Sequence, residues 1–304
     1  MAFMVVGLHA GFLREYSQFA EYLFVNGVFR IAVPIFFIIN GFYFHSTLVN
    51  NTKENWFKRV CFLYVIWMAF YSPIWVGLAS EKTSILDLIG VFIIGYHHLW
   101  YLSGVLGAAI LTVLFRKVDD MLVVLIILGT FLIGVLIQYA GNYHLFESTT
   151  VDTVLNTDWV HRNFIFLAFP FFCIGFLINK HALHKRMSIK TTSISALIGA
   201  ILLITESYVN YYMPSRDGGF DNYIALILVC PFIFMYFQQK NISGKTKSVG
   251  LYSSAVYFIH PLTLILLKKF THFENTLLTL IGIIVSVLIS YLIIRLNYKI
   301  KVIL

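Results

Sequence analysis

His9 and His260 lie in stretches that are otherwise almost entirely apolar, and Arg30 and Asn40 share one long apolar run. At bilayer depth, an ionisable or strongly polar side chain costs roughly 2.5–3.5 kcal/mol on insertion scales, so each of these needs a partner or a chemical role. Histidine is the side chain whose ordinary pKa lies nearest neutrality, which suits it to take a proton from a hydroxyl and later return one. Proton transfer, or nucleophilic attack by an imidazole, is the chemistry these positions offer.

Three constellations surround them. The first is Arg30-Ile-Ala-Val-Pro-Ile-Phe-Phe-Ile-Ile-Asn-Gly-Phe-Tyr-Phe44, in which Pro34 removes a backbone donor and Gly41 a side chain, so the helix can bend or admit a close neighbour. Arg30 and Asn40 are separated by about 15 Å along a helix axis and act at different depths; the plain alternative is an interhelical Asn40 and an Arg30 that snorkels. The second is His97-His98-Leu-Trp-Tyr-Leu-Ser103. Trp100 and Tyr101 suit an aromatic belt, but the paired histidines do not follow from a belt, and helical spacing puts His97 beside Tyr101. The third is Ser253-Ser-Ala-Val-Tyr-Phe-Ile-His260-Pro261, where Ser253, Tyr257 and His260 share one helix face and Pro261 leaves the Tyr257 carbonyl without its helical donor. A polar stripe ending in a kink lines a cavity, or else serves as a hydrogen-bonded helix contact.

The elements that must position these groups are membrane helices. The chain is 59% hydrophobic and 12% charged, against the roughly 25% charged residues of a soluble domain. With about 20 apolar residues per crossing as the ruler, ten spans are expected: roughly 1–13, 28–48, 58–79, 99–115, 121–140, 164–178, 191–208, 221–237, 251–267 and 276–294. The first, about 13 residues long, rises only about 20 Å as a helix and reads as truncated, as from a late start site. It has neither the basic n-region nor the cleavage pattern of a signal peptide.

Lys and Arg fall in alternate connections: Lys53, Lys58 and Arg59; Arg116 and Lys117; Lys180, Lys185, Arg186 and Lys190; Lys240, Lys245 and Lys247; then Arg295, Lys299 and Lys301. The other connections hold most acids, among them Glu15, Glu21, Glu81, Glu147, Asp152, Asp158, Asp217 and Glu274. This alternation predicts an all-α, polytopic protein with both termini in the cytoplasm. The net charge of +8 is then a topology signal and not a nucleic-acid footprint. Cys61, Cys173 and Cys230 form no CxxC pair or zinc spacing and read as small hydrophobes. The longest loop on the acidic side, 141–163, is too short for a soluble domain, so one transmembrane domain over 1–304, with none fused to it, is expected.

Taken in order, Val5-Val-Gly-Leu-His9, Val33-Pro-Ile-Phe-Phe-Ile-Ile-Asn-Gly41, Lys58-Arg59, His98-Leu-Trp-Tyr-Leu102 and Tyr257-Phe-Ile-His260-Pro261 resemble the integral-membrane acyltransferase family 3, whose members O-acylate bacterial surface carbohydrates. The chain carries Asn40-Gly41 where most members have Ser-Gly. The resemblance implies an O-acetyltransferase of the bacterial cytoplasmic membrane that moves an acetyl group from cytoplasmic acetyl-CoA to an O-antigen, capsule or exopolysaccharide hydroxyl. No cofactor would be held permanently; acetyl-CoA is the donor substrate and a surface glycan or its lipid-linked precursor the acceptor. His9 would be the general base or acyl-accepting nucleophile, and Lys58 and Arg59 would hold the donor's phosphates. Arg30, Asn40, His98, Trp100, Tyr101, Ser253, Tyr257 and His260 would line the acceptor site or channel. The alternative class is a transporter or flippase for a lipid-linked sugar, which favours related halves with matching interrupted helices; no such pairing is seen. A non-catalytic scaffold would explain neither His9 nor His260.

Overall fold

The computed structural model describes residues 1–77, 84–213, 219–240 and 248–304, and these contain helices and connections but no strand. In chain order the helices are α1 (Ala2–Ala10), α2 (Gln18–Val25), a 3-10 turn (Val28–Ile31), α3 (Ala32–Val49), α4 (Lys53–Trp75) and α5 (Ile85–Ile94). A second 3-10 turn (His97–Leu99) leads into α6 (Trp100–Phe115), followed by α7 (Asp120–Asn142), α8 (Thr150–Leu155) and α9 (Asp158–His161). A π turn (Phe164–Ala168) opens α10 (Phe169–Lys180), and α11 (Leu183–Arg186), α12 (Ile189–Tyr212), α13 (Leu226–Gln239), α14 (Ser248–Phe270) and α15 (Asn275–Ile300) complete the chain.

Each of the ten expected spans coincides with a helix, but among the described residues only six stretches are long and apolar enough to cross a membrane by themselves: Gln18–Val49, His97–Phe115, Asp120–Asn142, Ile189–Tyr212, Ser248–Phe270 and Asn275–Ile300. Of the other four, α1, α10 and α13 are too short, and α4 is long enough but carries Lys53, Glu54, Lys58 and Arg59 in its first two turns. The sequence reading missed α2, α5, α8, α9 and α11. The end of the third expected span at Ala79, with Glu81, Asp217, Lys245 and Lys247, lies outside the described residues.

α3 and α10 form the centre of the bundle, and glycine sets their distance. A Cβ on Gly41 would sit 1.8 Å from the Phe172 carbonyl oxygen, and one on Gly175 would sit 2.0 Å from that of Ile38. Small residues in register thus let two backbones touch, the contact that replaces hydrophobic pressure inside a bilayer. The Asn179 side chain donates to the Phe42 carbonyl at 2.5 Å beside it. Pro34 does not kink α3. It falls in the first turn, where its missing N–H has no helical partner to lose, and a 3-10 turn at Val28–Ile31 leads into the helix. Outward faces of α7, α12 and α15 expose Leu125, Leu132, Leu136, Leu197, Ile201, Ile204, Ile284, Leu288 and Leu292, as lipid contact requires.

Contacts gather the connections into two ends. At the basic end Asp120 takes Lys180 at 2.6 Å and His181 at 2.9 Å, and Arg59 donates to the Leu304 main chain. At the opposite end the residues after α1 are stitched to the start of α15: Leu13 N–H donates to the Thr276 hydroxyl and Thr276 N–H to the Glu15 carboxylate.

Candidate active site

Four histidine rings meet at the end of the bundle opposite the basic one. α1 stops at Ala10 because Gly11 adopts a left-handed backbone, φ 77°, and its N–H returns to the Gly7 carbonyl at 3.0 Å. That cap leaves His9 in the last turn, facing inward. Its ring centroid is 4.6 Å from that of His97 and 5.3 Å from that of His260, with which it stacks. His98 lies 5.5 Å from His260 and 5.9 Å from His97. The close turn before α6, with φ 100° at Gly95 and 47° at His97, swings the His97 ring toward His9. His97 is therefore not beside Tyr101, as helical spacing suggested, because it precedes α6 in a 3-10 turn where that spacing does not hold. Among the described residues, no group of three or more His, Cys, Asp or Glu side chains is arranged to hold a metal ion.

Pro261 fixes the state of His260. The proline withholds the N–H that would bond the Tyr257 carbonyl, and the His260 Nδ1 takes that place at 2.7 Å, with the Val256 carbonyl at 3.3 Å. A carbonyl can only accept, so Nδ1 carries the proton and a neutral His260 presents a lone pair at Nε2. That atom is buried on the far side of the ring and has no hydrogen-bond partner. One turn on, the Tyr71 hydroxyl enters the same break: it donates to the Phe258 carbonyl at 2.7 Å and accepts from Leu262 N–H at 3.4 Å. Side chains thus replace backbone partners around the kink, as a helix in hydrocarbon requires.

Two cavities open on this cluster, one of about 600 Å³ and one of about 230 Å³, and His9 and Lys268 line both. The larger is polar, with Arg14, Gln18, Glu21, Asn26, Arg30 and Asn275 around it; the smaller is bounded by Tyr96, His97, Pro261, Leu264 and Ile265. His9 is half-buried and reaches both, whereas His260 and His98 are closed off from them, at 0% and 2% exposure. Of the four clustered histidines, His9 and His97 alone line these cavities.

Behind the larger cavity runs a row of charges. Arg30 is paired with Asp221 and donates to the Asn26 side chain at 2.6 Å; Arg162 meets the other Asp221 oxygen at 3.3 Å and Asp158 at 2.6 Å. Burial alone would raise the Asp221 carboxyl, but the guanidiniums of Arg30 and Arg162 override it and hold it down to about 2. The connection ahead of α13 is anchored on three sides. Gln138 accepts from the N–H groups of Asp221 and Asn222, Asn222 donates to the His161 carbonyl, and Glu206 accepts from Ile224 and Ala225 N–H as well as from the Tyr139 hydroxyl.

The structure joins several expected residues and separates others. Asn40 donates to the Tyr101 hydroxyl at 2.6 Å, Tyr101 packs on Tyr257, and the Tyr257 hydroxyl donates to the His98 carbonyl at 2.7 Å. This chain of contacts supports the histidines from below. Trp100 lies under the Arg162 guanidinium, 5.4 Å away. Ser253 does not reach the cluster: it lines an apolar groove of about 570 Å³ with Phe3, Tyr252, Val256 and Val287. Lys58 and Arg59 are exposed on α4 at the basic end, apart from the cluster. The sequence reading missed Tyr71, Arg162, Asp221 and Lys268. Their one readable signal was the Asp158–Arg162 spacing of four residues.

A family model described as an acyltransferase domain, that of acyltransferase family 3, matches residues 1–295. Curated relatives include a protein named amino-acid racemase in Enterococcus faecalis, 25% identical over 99% of this chain and 45% of its own length. Another, named serine/alanine racemase in Enterococcus gallinarum, is 28% identical over 96% of this chain and 43% of its own length. The chain spans less than half the length of these relatives, and no solved structure matches it. The family match runs from before His9 to beyond His260 and takes in the whole histidine cluster, so this multi-pass helical chain belongs to acyltransferase family 3.

Proposed function

We propose that the chain is a membrane O-acetyltransferase, taking an acetyl group from acetyl-CoA and passing it to a hydroxyl of an envelope or secreted glycan held in the larger cavity. The observation that carries this reading is the position of His9, on the shared wall of two cavities and stacked on a histidine whose tautomer is fixed.

In the transfer, the acceptor O–H bond breaks, a new C–O bond forms at the thioester carbonyl, and the C–S bond breaks to release the thiol. His9 accepts the hydroxyl proton as the oxygen attacks and delivers it to the departing sulfur, or its own nitrogen first takes the acetyl group. His260, stacked on His9, and His97 hold the ring in place. On the side of the smaller cavity Pro261, Leu264 and Ile265 limit the water that would otherwise compete as acceptor. Lys58 and Arg59 stand at the end where the positive-inside rule puts the cytoplasm, the side of the donor's phosphates. Ten crossings with both termini inside fit the ten helices that coincide with expected spans.

The test is purified protein in lipid vesicles with radiolabelled acetyl-CoA and an extract of the host's envelope glycans. Label entering a base-labile glycan ester, and lost in His9→Ala, is the expected result; no transfer with a competent acceptor pool overturns it. The relatives' names support a second reading, in which the same cavity takes a small amino acid with its carboxylate on Lys268. Labelled serine and alanine in place of the glycans separate the two.

A further inference from the structure

The two cavities share His9 but differ in what else they offer. The larger is lined mainly by polar side chains and suits a hydroxyl-rich acceptor; the smaller, of about 230 Å³, is walled by Pro261, Leu264 and Ile265 and suits a thioester. His97 lines the smaller one alone, and its ring centroid is 4.6 Å from that of His9. We propose that the smaller cavity holds the thioester's sulfur and that His97 is a second catalytic residue, the acid that protonates this sulfur as it leaves. The inference rests on the acetyl-transfer reading above and names the group from which the departing thiol receives its proton.

The backbone holds His97 in an uncommon conformation. Its φ of 47° lies in the left-handed region, which residues with a Cβ disfavour and adopt only where their surroundings impose it. Those surroundings are present on both sides. Gly95, φ 100°, has no room for a Cβ, which would sit 2.6 Å from the Trp100 main-chain nitrogen. The Tyr96 N–H donates to the Met68 sulfur at 3.5 Å, and the His98 carbonyl accepts from the Tyr257 hydroxyl at 2.7 Å. The turn is thus pinned immediately before and after His97, and the pinning secures the ring's contact with His9 and with the smaller cavity.

Proton affinities decide among the groups on that side. A thiolate of ordinary pKa, about 8.5, takes a proton readily from an imidazolium at about 6.5, but not from a tyrosine at about 10 or a lysine at about 10.4. Tyr96 and Lys268 also line the cavity, so the histidine is the one matched to the task. As the acceptor oxygen bonds to the carbonyl carbon, its proton goes to His9. When the C–S bond breaks and its electron pair goes to sulfur, His97 takes that proton from His9 at one nitrogen. It gives the proton on its other nitrogen to the sulfur, directly or through one water, and both rings end neutral. Direct return from His9 is the competing route, because His9 also lines the smaller cavity.

The experiment compares two donors, with purified protein in lipid vesicles and the glycan extract as acceptor, after subtraction of uncatalysed rates. One donor is acetyl-CoA; the other is the acetyl thioester of para-nitrothiophenol, whose thiol is acidic enough to leave as the anion. His97→Asn is the variant, because asparagine tolerates left-handed backbone and cannot relay a proton. It should lower kcat with acetyl-CoA about tenfold or more, with KM within about twofold of wild type. With the activated thioester it should recover to within about threefold of wild type, which also shows that it folds. Ile265→Trp, which narrows the smaller cavity, should raise KM for acetyl-CoA about fivefold or more and leave the half-saturating glycan concentration unchanged. An undiminished rate with acetyl-CoA in His97→Asn means that His9 returns the proton itself and overturns the inference. So does an equal loss with both donors, or an effect of Ile265→Trp on the glycan alone. A wild type that transfers acetyl from neither donor overturns the acetyl-transfer reading, and the inference with it.

Discussion

Replacing Pro261 by Ala tests whether the kink in α14 sets the chemistry. Alanine restores an N–H at position 261, within reach of the Tyr257 carbonyl that the His260 Nδ1–H now occupies at 2.7 Å. A buried hydrogen bond of this kind contributes about 0.5–1.5 kcal/mol. It selects the Nδ1-protonated tautomer by that amount, and losing the selection lowers the productive fraction from about 0.7–0.9 to about one half, a loss of up to about twofold. The acetyl-transfer rate at saturating acetyl-CoA should fall by that factor, with thermal stability unchanged or higher because a backbone bond is regained. His260→Asn keeps a donor for the Tyr257 carbonyl but has no imidazole; it should lose about a hundredfold or more if the ring supports proton transfer at His9. A wild-type rate and pH profile in Pro261→Ala, or an active His260→Asn, would refute the reasoning.

Tyr71→Phe removes the hydroxyl that bridges Phe258 and Leu262, leaving two backbone groups unmatched; we expect a loss of about 1–3 kcal/mol in thermal unfolding and a lower rate with unchanged KM for acetyl-CoA. Gly41→Ala puts a Cβ 1.8 Å from a backbone oxygen that cannot yield, so α3 and α10 must separate, and the protein should fail to emerge as a single species on size exclusion in detergent. The Asp221 carboxyl is held below its unfolded value, so its contribution, about 2 kcal/mol, is fully present above about pH 4 and is lost as pH falls from there through about 2. Melting temperature measured from pH 6 to pH 3 should begin to drop more steeply in wild type than in Asp221→Asn, which has already lost the ion pairs.

How much of this was legible beforehand varied with the range of the interaction. The freed Tyr257 carbonyl and the close approach at Gly41 follow from rules that act within a turn or on a missing side chain, and both appear in the structure. Asn40 was readable as an interhelical group, but its partner Tyr101 was not, because no local pattern pairs two helices. Arg30 looked like a residue awaiting a ligand; its partner Asp221 lies 191 positions away in a connection without periodicity. His97 was misplaced because spacing rules assume a regular helix, and a 3-10 turn with left-handed backbone breaks that assumption. The count of ten spans came from apolar runs, and the short helices α1, α10 and α13 are where that ruler fails by itself.

Glu206 ties the cavities to the lipid. It sits on α12, the least buried of the six long apolar stretches, and its carboxylate holds the N–H groups of Ile224 and Ala225. The segment so held carries Gly219, which lines the larger cavity, and Asp221, which anchors both arginines. A helix that faces the bilayer tilts to match its thickness. A change in the tilt of α12 bears on this segment through the Glu206 carboxylate, against the opposing hold of Gln138 and the His161 carbonyl, so bilayer thickness and the cavity wall meet at one side chain.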